Sequence, residues 1–256
     1  MPSNAEYALM AGRAYQSTRD EINRFPVPEG WNEPIDKRKV LPSGFEAGYF
    51  IRGNEIVISF AGTGPEILNP DWLANFGLTL GSGATQLDEA AAYYMEVRAA
   101  YPNAAITFTG HSLGGGLAAL LSVFFNETAV TFDPAPFRAS ANNDVRNGLV
   151  TYLMGLGYSG EDQAIQALQS FHSSLPANNA GPSEELGIRG ESNVSILRVV
   201  GEAIDDSILL APWNPIGVEG PPLTHGGTGV SGVDLHSQAL LTAFVSFVTL
   251  LLVPIP

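Results

Sequence analysis

The sequence predicts an α/β fold in which one mostly parallel central sheet carries helices on both of its faces. Three observations lead to it. Short apolar or β-branched runs recur at residues 55–60, 104–109, 128–132 and 194–200, each of a length that suits a buried strand. Segments with helical spacing of apolar residues lie between them, near 85–97, 113–125 and 145–156. The connections are long enough for the crossovers that parallel strands require. With 256 residues, 45% of them hydrophobic and 15% charged, the chain suits one domain with a substantial core. No internal repeat or linker divides it. A block at about 138–190, with a polar end bearing Pro and Gly, is expected to form a cap-like or lid-like insertion in that domain.

Element by element, Ser3 with Glu6 reads as a capping box that starts a helix running to about residue 18. Residues 25–44 are rich in Pro, Gly and charge and read as loop. Glu46–Arg52 and Glu55–Phe60 are strand-like and flank Gly53-Asn54, a two-residue hairpin signal. Thr85 and Asp88 stand where a capping pair would open a helix whose apolar positions are Leu87, Ala91, Tyr94 and Val97. A strand at 104–109, a small-residue helix Leu113–Phe125 and a strand Thr128–Phe132 follow. Helical pieces near 145–156 and 162–170 precede the strand at 194–200. The apolar tail at 239–253 is about 15 residues, short of the ~20 that a spanning helix needs, so a buried terminal helix is expected and no transmembrane segment.

Charge and composition remove several function classes. Twelve basic against 26 acidic residues leave a net charge of −14, which repels phosphate backbones, so nucleic acid is not an expected partner. The absence of cysteine excludes disulfides, thiolate metal sites and a cysteine nucleophile. Met1-Pro2-Ser3-Asn4 lacks a basic region followed by an apolar run, so no signal peptide is expected in this stretch, and secretion stays open through a longer parent.

The segment with the clearest chemistry is Gly110-His111-Ser112-Leu113-Gly114, a G-x-S-x-G pentapeptide between a strand and a helix. A serine in that context occupies a strained strand-to-helix turn with its hydroxyl exposed. Glycines flank it because strand and helix crowd the turn. The helix start supplies N–H groups and the positive end of a dipole, which favour a developing oxyanion. Ser112 is therefore the expected nucleophile, and the N–H of Leu113, the residue after it, one expected oxyanion donor. A phosphate loop is excluded because no Gly-Lys-Ser/Thr follows.

Four segments in order carry a family resemblance: Ile56-Val57-Ile58-Ser59-Phe60-Ala61-Gly62-Thr63, Asp71-Trp72-Leu73-Ala74-Asn75, Ile106-Thr107-Phe108-Thr109 running into Gly-His-Ser-Leu-Gly-Gly, and Thr131-Phe132 with Pro134 and Pro136. Over residues 46–136 the chain resembles the class 3 lipase family, the group that contains fungal triacylglycerol lipases and feruloyl esterases. Ala61 stands where that family usually has arginine, and the block at 138–190 has no counterpart in it. The resemblance implies the α/β-hydrolase fold, hydrolysis of carboxylic esters without a cofactor or metal, and a lipid or other ester as substrate, met at an interface where that substrate is lipid. It also implies that the second oxyanion donor comes from the loop after Phe60, where Thr63 offers a backbone N–H and a hydroxyl.

A serine hydroxyl needs a base to take its proton and an acid to orient that base. The hydrolase layout orders them Ser, Asp or Glu, then His. Of the four histidines, His111 is inside the motif and His172 precedes the strand expected to carry the acid. His236, between Val233-Asp234-Leu235 and an apolar helix, is the expected base, with His225 as its competitor. After the strand at 194–200 come Glu202, Asp205 and Asp206. Asp206 fits the resemblance best because a short apolar stretch and Pro212 follow it. Asp205 is its close competitor, and Glu202 requires a shorter loop. The expected activity is that of a lipase or esterase. Phospholipase A1 or feruloyl-type esterase activity on the same scaffold is the alternative, and a non-catalytic binding module is the contrasting class.

Overall fold

The computed structural model describes residues 1–17, 19–21, 24–62, 80–172, 188–201 and 214–223. Among these residues the sheet has seven strands, β1 (Lys39–Val40), β2 (Glu46–Arg52), β3 (Glu55–Phe60), β4 (Ala105–His111), β5 (Thr128–Phe132), β6 (Val194–Leu197) and β7 (Val218–Glu219), which lie side by side in sequence order. β1–β2 and β2–β3 pair antiparallel, and every later pair is parallel. The β2–β3 hairpin turns at Gly53-Asn54 as its sequence requires, with Gly53 at φ +60°.

Alternation along the strands sends side chains to two cores. Ala47, Tyr49, Ile56, Ile58, Phe60, Ile106 and Phe108 face one side. There they meet α2 (Leu80–Ala100), α3 (Leu113–Phe125), α4 (Asn143–Gly155) and α5 (Gln163–Ser170). Phe50, Val57 and Phe132 face the other side, against Tyr7, Ala8, Met10 and Ala11 of α1 (Asn4–Arg13). The fold is thus α/β, a mostly parallel sheet with helices on both faces, as the sequence predicts. The described part of the block at 138–190 packs against this core through Leu149, Leu153, Ile165, Leu168 and Phe171. No helix among the described residues is long and apolar enough to cross a membrane.

α1 begins with the capping box, in which Glu6 N–H donates to Ser3 Oγ at 3.2 Å and Ser3 N–H donates to the Glu6 carboxylate at 2.7 Å. The same carboxylate accepts from Trp31 Nε1 and from Arg52, both at 2.8 Å, which pins the helix start to the end of β2. The helix stops at Arg13, short of the expected boundary near 18, because the backbone N–H groups of Gln16 and Ser17 leave the helical ladder for the Glu46 carboxylate.

Three further departures from the sequence reading have physical reasons. α2 starts at Leu80, before the Thr85 and Asp88 pair. Gly81 and Gly83 hide that start, since each lowers helix propensity by about 1 kcal/mol relative to Ala and neither contributes apolar periodicity. Residues 39–40 and 218–219 form strands of two residues, too short for any periodic signal. β6 ends at Leu197, before the expected 200, because β5 turns away: Asp133 has φ +41°, and its Oδ1 takes the N–H of Val199 at 2.9 Å. Val199 then bridges to Leu223 on the other side.

Asp88, inside α2 and not at its cap, is half-buried, and burial followed by the charge of Glu89 pushes its carboxyl up to about 6. A folded-state pKa above the unfolded one favours folding at low pH, and that advantage is lost as pH rises through about 6. Asp88→Asn should therefore raise the melting temperature at pH 8 and leave it unchanged near pH 3. A melting temperature that does not rise at pH 8 would exclude this assignment.

Candidate active site

The parallel pairing of β3, β4 and β5 brings Phe60, His111 and Phe132 to one edge of the sheet, and Ser112 follows β4 there. Ser112 is 5% exposed and has φ 57° and ψ −125°, a backbone region that a non-glycine residue enters only under strain, on the order of 1–3 kcal/mol. Its backbone is held from three sides. Ser112 N–H donates to Phe132 O at 3.0 Å, and its carbonyl accepts from Gly116 N–H at 3.0 Å and Ala135 N–H at 2.9 Å. These bonds use every backbone group of Ser112 and leave its side chain as the variable part.

Leu113 is the first residue of α3, so its N–H is one of those a helix start leaves without a partner in its own ladder. All thirteen residues of α3 are buried, an apolar-all-round helix in the middle of the molecule. Its run of three glycines lets the helix start close in. A Cβ on Gly114 would lie 2.7 Å from the Ala61 carbonyl carbon and closer still to the Phe60 carbonyl oxygen. One on Gly115 would lie 3.1 Å from Pro134, and one on Gly116 would lie 2.9 Å from the Ala135 oxygen. The glycines thus bring together the ends of β3 and β4, the start of α3 and the segment after β5.

Gly62 completes this contact. A Cβ there would lie 2.8 Å from the His111 carbonyl oxygen and 3.1 Å from Ser112 Cβ, so the chain that leads to Thr63 passes directly over the turn at Ser112. His111 is buried, with Nδ1 2.9 Å from the Tyr15 hydroxyl, and is held away from any role as base to its neighbour. His172 is exposed and follows Phe171, whose ring packs 4.7 Å from that of Phe124. Phe124 lies at the far end of α3 from Ser112, roughly 18 Å away at 1.5 Å per residue, which removes His172 from the site. Thr63, Glu202, Asp205, Asp206, His225 and His236 lie outside the described residues. Of the expected site, the structure therefore brings together Ser112, Leu113 and the start of the Thr63 loop.

Two buried polar residues at this edge were missed by the sequence reading. Tyr15 carries no motif and meets His111 across 96 positions. Asp133 is fully buried at the carboxyl end of β5, and only its positive φ and the Val199 bond reveal its part in ending the strand. Among the described residues no cluster of His, Asp and Glu could hold a metal ion.

The family described as phospholipase-like, the Tle-like phospholipase domain, matches residues 6–150, more than half of the chain. The extracellular phospholipase A1 of Serratia liquefaciens is 39% identical over 93 residues, which are 36% of this chain and 28% of that protein. The match thus spans little more than a quarter of the length of that relative. Among solved structures, a lipase from Rhizopus microsporus var. chinensis is 17% identical with a TM-score of 0.39, covering 57% of this chain and 61% of that one. A triacylglycerol lipase with a serine-protease triad is 16% identical with a TM-score of 0.43, covering 95% of this chain and 88% of that one.

The packing around α3 makes a paired prediction. Gly114→Ala should destabilise the fold by about 3 kcal/mol, the upper end for overpacking a dense interior, because backbone surrounds the new methyl. Gly148→Ala, inside α4 with open space around it, should instead stabilise by about 0.5–1 kcal/mol. Urea denaturation of the two variants checks both signs, and a neutral Gly114→Ala would refute the close approach.

Proposed function

This chain belongs to the family of Tle-like phospholipase domains, and from that premise we propose that it is a serine hydrolase that cleaves acyl esters of lipids through an acyl-enzyme. The observation that carries the reading is Ser112, a serine at positive φ on a strand-to-helix turn with a helix N-terminus behind it. Such strain in a close-packed site is retained where it aims a side chain at chemistry.

In this mechanism Ser112 Oγ attacks the ester carbonyl carbon while His236 takes its proton and Asp206 fixes the imidazole tautomer. The N–H groups of Leu113 and Thr63 receive the negative charge on the carbonyl oxygen. Collapse of the tetrahedral intermediate breaks the bond to the alcohol, which leaves with the proton from His236. Water, deprotonated by the same imidazole, then attacks the acyl-enzyme and frees the fatty acid and Ser112. The finer reading is a phospholipase A1, favoured by the 39% identity to the Serratia liquefaciens protein, and secretion is proposed with it because that relative is extracellular.

Ser112→Ala should lower ester turnover at least a hundredfold with the fold intact, since it removes only the nucleophilic oxygen. His236→Ala should lose about as much, because members of a triad act as a unit, whereas His225→Ala should change KM at most. Among Glu202→Gln, Asp205→Asn and Asp206→Asn, the last should be the damaging one, by about 10⁴ in kcat as in the serine-protease case that defines this effect. A p-nitrophenyl ester assay with a parallel melting curve decides each assignment. Retention of wild-type turnover by Ser112→Ala would refute the mechanism, and collapse in His225→Ala or Asp205→Asn would move the base or the acid.

A further inference from the structure

We propose that Tyr15 is a positioning residue of this hydrolase, its hydroxyl wedged between Gly62 and His111 so that it holds the start of the oxyanion loop against the nucleophile. The inference rests on the serine-hydrolase reading of Ser112 given above.

The Tyr15 hydroxyl lies 2.9 Å from His111 Nδ1 and 3.5 Å from the His111 carbonyl oxygen, in a buried place. It occupies the space that a side chain at position 62 would need, and the backbone of Gly62 lies beside it. One hydroxyl therefore touches the residue before the nucleophile and the residue before Thr63. The peptide joining Gly62 to Thr63 carries the N–H assigned to the oxyanion, and an error of about 1 Å in such a donor is worth about a hundredfold in rate.

Tyr15 is itself held. Gln16 and Ser17 donate their backbone N–H groups to the Glu46 carboxylate at 2.6 and 3.0 Å. The carbonyl of Glu46 accepts the N–H of Ala61 at 3.0 Å. A single residue at the start of β2 thus binds the segment that carries Tyr15 and the residue before Gly62. Ala14, Tyr15 and Ala61 form a small apolar cluster of their own, and the Arg19 guanidinium covers the Tyr15 ring at 5.2 Å. A hydroxyl anchored this firmly can transmit its position to the loop.

The test is Tyr15→Phe, which keeps the ring and removes the hydroxyl, assayed on a p-nitrophenyl ester with intact sites counted by exhaustive fluorophosphonate titration. The expected result is a 10- to 100-fold fall in kcat per titrated site with KM within about twofold, the pattern of a lost transition-state interaction. Tyr93→Phe, whose hydroxyl donates to Lys37 O at 3.0 Å away from the site, should leave kcat per site unchanged. Glu46→Gln, which weakens the clamp and keeps Tyr15, should lower kcat severalfold and decides the matter if Tyr15→Phe does not fold. Unchanged kcat per site in Tyr15→Phe, or in Glu46→Gln where only that variant folds, would overturn the proposal even with a lower melting temperature. A wild-type protein with neither ester turnover nor labelling would refute the hydrolase reading itself.

Discussion

Ser112 sits at φ 57°, and much of the molecule is arranged so that it can stay there. The strain is on the order of 1–3 kcal/mol, and three backbone hydrogen bonds to Ser112, each with a net worth of about 0.5–1.5 kcal/mol, offset it. Those bonds come from the end of β5, from the first turn of α3 and from the segment after β5. They form only if the strands are parallel and in register, and if the helix start can approach the strand ends. The sheet supplies the first condition and the glycines at 110, 114, 115 and 116 the second. The backbone of a glycine-rich helix start is expensive to order, so these residues weaken α3 locally, and the burial of all thirteen of its residues compensates.

The same edge of the sheet shows how polar groups are handled where packing is densest. Glu46, Tyr15, His111, Ser112 and Asp133 are all buried there, and each has partners across sequence separations that only the fold can close. A buried group left without its bond costs about 1–3 kcal/mol. Segments 13–17 and 133–137 are therefore fixed to the strand ends by polar contacts, where the helices are fixed to the sheet by apolar ones. This division suits the proposed hydrolase: apolar packing sets the scaffold, and directional bonds set the angles of the few peptides that would face an ester carbonyl.

What could be read from the sequence follows from the range of the interactions concerned. The hairpin at Gly53-Asn54, the capping box at Ser3 and Glu6, and the turn at 110–114 are each specified within a few residues. α3 and β5 were legible to their boundaries because their apolar runs are continuous and end in polar residues. The start of α2 was not, since Gly81 and Gly83 carry no periodic signal, and neither were the two-residue strands β1 and β7. Tyr15 and Asp133 were invisible for a different reason. Their meaning lies in contacts 96 and 66 residues away, and a tyrosine at a helix end or an aspartate before a proline has ordinary local explanations. The base, the acid and Thr63 were read from motif order and resemblance, and they fall outside the described residues.

The central claim is that the strained serine is the nucleophile, and covalent labelling tests it most directly. The protein treated with a fluorophosphonate, digested and analysed by mass spectrometry should carry a single adduct, on the peptide that holds Ser112, with none in Ser112→Ala. An adduct on another serine, or an enzyme that hydrolyses esters while Ser112 stays unmodified, would contradict the account.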